Sequence, residues 1–266
     1  MILHSNKIKN FEKTNGDTFI EVVDLSIQYG GVWAAKDICL RIHKGEIFGI
    51  VGSDGAGKST LLRAMATLIP PTTGHITIEK FDTSADRKFV KSILGYMPQR
   101  FALYPDLTVL ENMEFFMDVF HMEKQKRGIM RNKFLAFTKL EPFSDRRAGD
   151  LSGGMKQKLG LACVLLHEPK VLILDEPTNG VDPLSRMEFW QMLTRMRNED
   201  CMTIVVATSY LDEGEKCDRL ALMHNSELIE VAAPVILRKG LADQEEAIID
   251  RLTKTDRELA YDTFRR

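Results

Sequence analysis

The stretch Gly52-Ser53-Asp54-Gly55-Ala56-Gly57-Lys58-Ser59-Thr60 fits the pattern G-x-x-x-x-G-K-S/T of a phosphate-binding loop. The apolar run Ile47–Val51 precedes it and is typical of a strand that is buried on both faces. A helix is predicted from Lys58 to Ile69, where two prolines stop it. The glycines allow several backbone N–H groups to point inward at a helix start, which favours anions. The sequence therefore predicts a strand, a loop and a helix that hold phosphate groups.

Two side chains of this loop carry chemistry that a nucleotide needs. Lys58 is expected to reach the β- and γ-phosphates, and the Ser59 hydroxyl is expected to bind Mg²⁺. A carboxylate beside phosphates is electrostatically adverse, so we expect the Asp54 side chain to point away from them.

A second apolar run, Val171–Leu174, ends in the adjacent carboxylates Asp175 and Glu176. Open α/β sheets bind ligands at such strand ends. Asp175 would hold Mg²⁺ directly or through water, and Glu176 would orient and deprotonate an attacking water. Taken alone, this pair is more often a solvated strand end, but the phosphate loop upstream favours the functional interpretation.

The remaining pattern predicts an α/β domain over residues 19–240. Short β-rich segments lead into the phosphate loop, a third apolar strand covers Thr203–Ala207, and Leu220–Val231 is typical of a hairpin. Between them, apolar residues recur at helical spacing, namely Leu107, Leu110, Met113, Phe116, Val119 and Phe120. We expect a core of residues 19–98 and 166–240 with a helical subdomain at 99–165. Residues 1–18 are predicted to be a lead-in, and 241–266 a charged helix or tail.

Composition excludes several other classes. The chain has 266 residues, of which 44% are hydrophobic and 28% charged, with a net charge of -2. We see no basic run suited to nucleic acid, no signal peptide and no apolar stretch of roughly 20 residues that could span a membrane. The four cysteines are scattered, which is typical of reduced thiols. Any membrane role is therefore expected to act through a partner.

Leu151-Ser152-Gly153-Gly154 is a glycine-rich turn in which Ser152 is a natural N-cap for the helix that follows. Together with the phosphate loop and Asp175-Glu176, it resembles the signature of ATP-binding-cassette (ABC) ATPases. The resemblance covers about residues 19–240. It implies a P-loop (RecA-like) ATPase core with an N-terminal antiparallel β subdomain and an inserted α-helical subdomain. It also implies ATP and Mg²⁺ as ligands, and a dimer in which Ser152, Gly153 and Gly154 close over the γ-phosphate of the facing subunit.

Three further sites in the sequence each resemble a position of the family pattern. Tyr29 resembles the aromatic residue that stacks on adenine, although an ordinary strand-end tyrosine fits equally well. Gln99 resembles the glutamine that contacts Mg²⁺ and links to the helical subdomain, with a surface glutamine as the alternative. Asn179–Pro183 resembles the loop that crosses the dimer interface, and by local chemistry alone it is a turn. We take Tyr29, Gly52–Thr60 and Ser152–Gly154 as nucleotide contacts.

Two positions depart from the family pattern. Met155 stands where glutamine is usual, and Ser209 stands where a histidine normally contacts the γ-phosphate. Candidate catalytic residues are accordingly Glu176, Gln99 and Ser209, and candidate metal ligands are Ser59, Gln99 and Asp175. Because serine is shorter and uncharged, we hypothesise that the chain alone hydrolyses ATP slowly.

Within the family, Leu103–Asn112 and Gly180–Pro183 resemble the exporter branch, and Met155 with the run after Ala207 resembles the first ATPase half of YbhF-type exporters. This implies an integral membrane subunit and a second ATPase domain, from the same or a different chain, as partners, at the inner face of the cell membrane and without nucleic acid. One alternative is a soluble ABC ATPase that acts on ribosomes or DNA. Another is a non-ABC P-loop enzyme such as a kinase, which would have no use for the signature turn.

Overall fold

The computed structural model describes residues 17–100, 102–237 and 253. This part of the chain forms two β-sheets and a group of helices. The strands are β1 (Thr18–Tyr29), β2 (Val32–His43), β3 (Ile47–Val51), β4 (Thr73–Ile78), β5 (Phe81–Asp82), β6 (Leu94–Met97), β7 (Val171–Asp175), β8 (Thr203–Thr208), β9 (Arg219–His224) and β10 (Glu227–Ala232). The α-helices are α1 (Lys58–Met65), α2 (Arg87–Ile93), α3 (Val109–Val119), α4 (Lys124–Thr138), α5 (Gly153–Leu165), α6 (Pro183–Asp200) and α7 (Pro234–Leu237). Short 3-10 helices cover Glu141–Phe143, Ala148–Asp150 and Leu211–Lys216.

The central sheet has six strands in the order β10-β9-β3-β8-β7-β6. All neighbours are parallel except β10, which pairs antiparallel with β9. Every residue of β3, β7 and β8 is buried, which explains their continuous apolar runs. Their side chains alternate between two cores: Ile173 and Val205 face one, and Leu172 and Ile204 face the other. The sheet therefore brings the ends of β3, β7 and β8 to one edge.

The second sheet is antiparallel, with the order β2-β1-β4-β5. Its long hairpin turns at Gly30 and Gly31, both of which have positive φ angles. Apolar residues of β1 and β2 pack with α1 against one face of the central sheet. This sheet thereby places β2 beside the phosphate loop.

The described residues between Met97 and Val171 form α3, α4, α5 and two of the 3-10 helices. Thr108 starts α3 with a capping box, in which its hydroxyl accepts from the Glu111 N–H and the Glu111 carboxylate accepts from the Thr108 N–H. Helix α5 packs against α3, α4 and α6, so it joins this helical region to the other face of the central sheet.

The predicted fold class is confirmed by this architecture and by its match to solved structures described below. Helix α1 is shorter than predicted, because Thr67 adopts a left-handed backbone with φ of 60° that ends the helical path before Ile69. The hairpin over Leu220–Val231 is present as β9 and β10.

The division of the domain at residues 98 and 166 stays a prediction. Residues 1–16 of the lead-in and all of 241–266 except Thr253 lie outside the described residues, while β1 begins at Thr18. None of the helices in the described part of the chain is both long and apolar enough to cross a membrane.

Candidate functional site

The phosphate loop joins the end of β3 to the start of α1, as the sequence predicts. Gly57 is the N-cap of α1 and has a φ of 99°. A Cβ at this position would lie 2.3 Å from the Ala34 carbonyl oxygen, so only glycine fits. No side chain caps the helix, which leaves its first N–H groups available to an anion.

Lys58 is buried and is held by the loop itself. Its Nζ donates to the carbonyl oxygens of Gly52 at 2.7 Å and Ser53 at 3.1 Å, and to Ser209 Oγ at 2.9 Å. It also lies 3.4 Å from Glu176 Oε1. All three protons of the ammonium group therefore have partners, and a phosphate that reaches Lys58 would replace some of them.

Ser59 and Asp175 meet across the loop, with the Ser59 hydroxyl donating to Asp175 Oδ1 at 2.8 Å. Burial raises the pKa of Asp175, and the hydrogen bond from Ser59 opposes that rise. Tyr96 Oη lies 3.4 Å from Asp175 Oδ2. Burial, and then the Asp175 charge, raises the pKa of Tyr96 to about 12. A hydroxyl and a buried carboxylate at this spacing fit Mg²⁺, which prefers oxygen ligands and uses few carboxylates beside phosphate groups.

Glu176 is the centre of a hydrogen-bonded cluster at the end of β7. Its Oε2 accepts from Gln99 Nε2 at 3.0 Å and from Asn179 Nδ2 at 3.1 Å, and its Oε1 accepts from Ser209 Oγ at 2.7 Å. Its backbone has a φ of 48°, which is strained for a residue with a Cβ. The cluster fixes the direction of the Glu176 carboxylate.

Ser209 also contacts Asp54, whose Oδ1 lies 3.1 Å from Ser209 Oγ. The serine has one proton, so it donates to either Glu176 or Asp54 at one time. The prediction that Asp54 points away from the site is wrong, because a serine at position 209 offers a hydroxyl within reach of that carboxylate. Sequence analysis also missed the contact between Asn179 and Glu176, which are three positions apart on the loop after β7.

A cavity of about 510 Å³ opens over this cluster. Its lining includes Lys58, Ser59, Gln99 and Glu176 together with Trp33, which sequence analysis did not single out. The full set is Val32, Trp33, Ala34, Asp54, Gly55, Ala56, Gly57, Lys58, Ser59, Thr60, Gln99, Glu176, Asn179 and Ser226. Among the described residues, this set brings together most of the predicted nucleotide contacts.

Tyr29 is not part of that lining. It lies at the end of β1, opposite Val32 in the strand register, and its side chain is 51% exposed. Val32 and Trp33, just across the turn, do line the cavity. A contact between Tyr29 and adenine therefore stays a proposal.

The signature turn lies elsewhere on the surface of the same chain. The Ser152 hydroxyl accepts from the Met155 N–H at 3.3 Å, so Ser152 caps α5 as predicted. Gly154 packs so close to α6 that an added Cβ would lie 2.4 Å from Ser185 Cβ. Ser152 and Gly153 are exposed, and within the described residues neither lines the phosphate-loop cavity.

A larger cavity of about 680 Å³ lies at the other end of β7 and β8. Its charged lining is largely paired, with Lys133 bound to Glu168 and Lys170 bound to Glu79. It has no phosphate loop, so the smaller cavity is the better candidate for a nucleotide.

The chain has a phosphate loop with a buried lysine, a serine–aspartate pair, and a glutamate at the end of β7. Together these features define a P-loop nucleotide-binding protein. Comparison with known proteins gives the family: the model described as "ABC transporter" matches residues 35–179. The chain belongs to the ABC transporter family, which confirms the resemblance drawn from the sequence.

Two relatives in the curated proteins are both named as ATP-binding proteins of transport systems. "Probable multidrug ABC transporter ATP-binding protein YbhF" of Escherichia coli (strain K12) is 49% identical over 209 residues, which are 79% of this chain and 36% of that protein. "Nod factor export ATP-binding protein I" of Rhizobium etli is 34% identical over 218 residues, which are 82% of this chain and 69% of that protein. The chain therefore spans about a third of the length of YbhF.

Solved structures agree with the fold. The cbiO1 subunit from Clostridium perfringens, part of the ABC transporter complex cbiONQ, matches with a TM-score of 0.76 at 30% identity, over 84% of this chain and 94% of that one. The dimeric structure of MJ0796, a bacterial ABC transporter cassette, matches with a TM-score of 0.73 at 28% identity, over 80% of this chain and 98% of that one. Each of these two solved chains is matched over nearly its whole length.

Proposed function

We propose that this chain is the ATP-binding and ATP-hydrolysing subunit of an ABC exporter. The observation that carries the proposal is the cluster in which Lys58, Ser209 and Glu176 meet at the phosphate loop. The names of the relatives above support a transporter over an ATPase that acts on ribosomes or DNA.

In this proposal the backbone N–H groups of the loop and Lys58 bind the β- and γ-phosphates of ATP. Ser59 and Asp175 would hold Mg²⁺, with Gln99 as a further ligand from the start of the helical region. Bound there, Mg²⁺ would neutralise charge that develops on the phosphates. Glu176 orients the attacking water and accepts its proton, and Gln99 and Asn179 hold its carboxylate in place. Ser209 contributes a hydrogen bond at the γ-phosphate end, and Tyr29 or Trp33 packs on the adenine.

The signature turn, in which Ser152 and Gly153 are exposed, serves a second ATPase domain. Ser152, Gly153 and Gly154 close over the γ-phosphate that the facing domain holds, and this ATP-driven closure drives an integral membrane subunit. The chain accordingly works in the cytoplasm, at the inner face of the cell membrane. The structure offers an apolar contact for that subunit at Tyr104 and Phe115, whose exposed rings pack with their centroids 4.5 Å apart. The neighbouring residues at helical spacing are less available, because Leu110, Phe116 and Phe120 pack partly into the helical core.

The test of nucleotide binding is Lys58→Ala. Loss of a charge-assisted contact is expected to weaken ATP binding by about tenfold to a hundredfold in the presence of Mg²⁺, measured by fluorescence titration. Lys170→Ala is the matched control, since Lys170 pairs with Glu79 at the far end of β7. Equal ATP affinity in the Lys58 variant and the wild type would contradict the proposal.

A further inference from the structure

Glu213 is a completely buried carboxylate in the 3-10 helix Leu211–Lys216, and it does not line the phosphate-loop cavity. Its Oε1 accepts from Thr178 Oγ1 at 2.6 Å, and its Oε2 accepts from Thr208 Oγ1 at 2.6 Å. Arg186 Nε lies 3.3 Å from Oε1. A buried carboxylate is costly unless it is paired and hydrogen-bonded. The two threonines and Arg186 supply these partners for Glu213.

The two threonines belong to the two loops that carry the cluster at the phosphate loop. Thr178 lies on the loop after β7, two positions beyond Glu176. Thr208 is the last residue of β8 and directly precedes Ser209. Glu213 therefore links the loop that presents Glu176 to the strand end that presents Ser209. Among the described residues, these loops are also linked directly by the 2.7 Å contact between Glu176 and Ser209.

Arg186 extends this link to α6. Its guanidinium pairs with Asp212 at 3.0 Å and lies over the Tyr210 ring, 4.1 Å from the centroid. Both residues flank Glu213 on the segment that follows Ser209. The position of that segment is thus determined by contacts with α6 as well as with the loop after β7.

We propose that Glu213 is a positioning residue for ATP hydrolysis, which sets the separation of Glu176 and Ser209 without touching nucleotide or metal. The inference rests on the proposed function. Catalytic groups must be held within about 0.5 Å of their productive places, and a displacement of about 1 Å can cost a hundredfold in rate. Loss of the Glu213 link is expected to move both loops by amounts of this order while leaving the phosphate loop on β3 intact.

The experiment compares Glu213→Gln with the wild type in steady-state hydrolysis, in ATP affinity and in thermal unfolding. Glutamine keeps the shape of the glutamate side chain, but it has only one acceptor oxygen. It therefore cannot accept hydrogen bonds from both threonines and Arg186 together. We expect kcat to fall by about tenfold or more, with ATP affinity changed less than about twofold. Glu46→Gln is the matched control, since Glu46 is another buried carboxylate, paired with Arg219 at the opposite end of β3. Its substitution is expected to lower stability and leave kcat unchanged.

A second pair of variants keeps the test independent of folding. Thr178→Ser retains the hydroxyl and is expected to retain kcat, whereas Thr178→Val removes it and is expected to reduce kcat as Glu213→Gln does. Combining Thr178→Val with Glu213→Gln should cost little more than either change alone, because both break one link.

The inference is overturned if Glu213→Gln keeps the wild-type kcat. It is overturned equally if Glu46→Gln, at a similar loss of stability, loses as much kcat as Glu213→Gln does. It is also overturned if ATP affinity falls in parallel with kcat. If ATP binding by the wild type does not depend on Lys58, the proposed function and the inference fail together. An active wild type with an equally active Glu213 variant would contradict the inference alone.

Discussion

Ser209 Oγ lies within 3.1 Å of the Lys58 ammonium group and of two carboxylates, those of Glu176 and Asp54. Two carboxylates face one ammonium group there, so the γ-phosphate end of the site carries excess negative charge. An incoming γ-phosphate would add to it. We therefore expect Ser209 and Asp54 together to give a site that binds ATP through the phosphate loop but positions the attacking water poorly.

Ser209→His is expected to raise the ATPase turnover of the isolated chain by about tenfold or more, since a positioned imidazole can hold the γ-phosphate and the water in line. Steady-state ATPase assays measure this. Ser209→Ala serves as the comparison, because it removes the hydroxyl without supplying a new contact. A wild-type turnover that already lies near roughly 1–100 s⁻¹, with no gain in the histidine variant, would refute the expectation.

For single residues, the sequence predicts the motifs that neighbouring positions form. It does not predict contacts between residues that lie far apart in the chain. The phosphate loop and Asp175-Glu176 are recognisable because their chemistry requires neighbouring residues. The contact between Glu213 and Thr178 is different, since the two residues lie 35 positions apart in the chain. The contact of Asp54 with Ser209 joins positions 155 apart, so no local pattern could have shown it.

His167 follows α5 and connects three elements. Its ring packs on Phe120, just after α3, with centroids 4.2 Å apart, and its Nε2 lies 3.1 Å from the Leu94 carbonyl oxygen of β6. Burial lowers the pKa of His167 from its ordinary value of 6.5. The neutral imidazole is thus the form that the packing of α3, α5 and β6 favours.

The stability of the chain is therefore expected to depend on pH through His167. Because the folded pKa is the lower one, the unfolded chain binds more protons between the two pKa values. The contribution of neutral His167 to the stability of the fold is present above about pH 6.5 and is lost as the pH falls through the folded pKa. Denaturant unfolding from pH 8 to pH 5 measures the loss, and His167→Gln should make that slope shallower.

His75→Gln is the control for this experiment, since His75 is exposed on β4. It should keep the wild-type slope. An unchanged slope in the His167 variant would mean that other groups account for the pH dependence.

The elements themselves follow from the sequence to different degrees. The apolar runs of β3, β7 and β8 predict buried strands because both of their faces are covered. The end of α1 could not be predicted, since it depends on the left-handed conformation of Thr67 rather than on the prolines that follow. Burial within the stripe at 107–120 also depends on tertiary packing, because Val119 is exposed while Met113 is buried.

In the whole molecule, the phosphate-loop cavity and the signature turn lie in different places of one chain. Under the proposed function, a complete site therefore needs two ATPase domains. ATP is expected to drive self-association of Glu176→Gln, which retains the nucleotide, as measured by sedimentation. Adding Gly153→Asp should weaken this association by about tenfold or more through charge repulsion with the facing γ-phosphate. ATP binding to the chain's own loop should not change.

Gly153 suits this experiment because an added Cβ would meet only the Gly180 oxygen, at 3.9 Å, within the described structure. The substitution therefore tests charge rather than packing. Gly154→Ala would be a poor choice, since its Cβ would collide with Ser185. If Glu176→Gln stays monomeric at saturating ATP, the chain does not pair with itself and a different ATPase domain must face it.

The central sheet has a further consequence for the synthesis of the chain on the ribosome. β3 is completed at Val51, but its neighbours β8 and β9 begin only at Thr203 and Arg219. At about 5–20 residues per second, the gap of about 150 residues leaves this apolar strand without either neighbour for roughly 8–30 s. Nascent or truncated chains would expose it throughout that time, so we expect chaperone demand and aggregation of incomplete products to depend on translation speed.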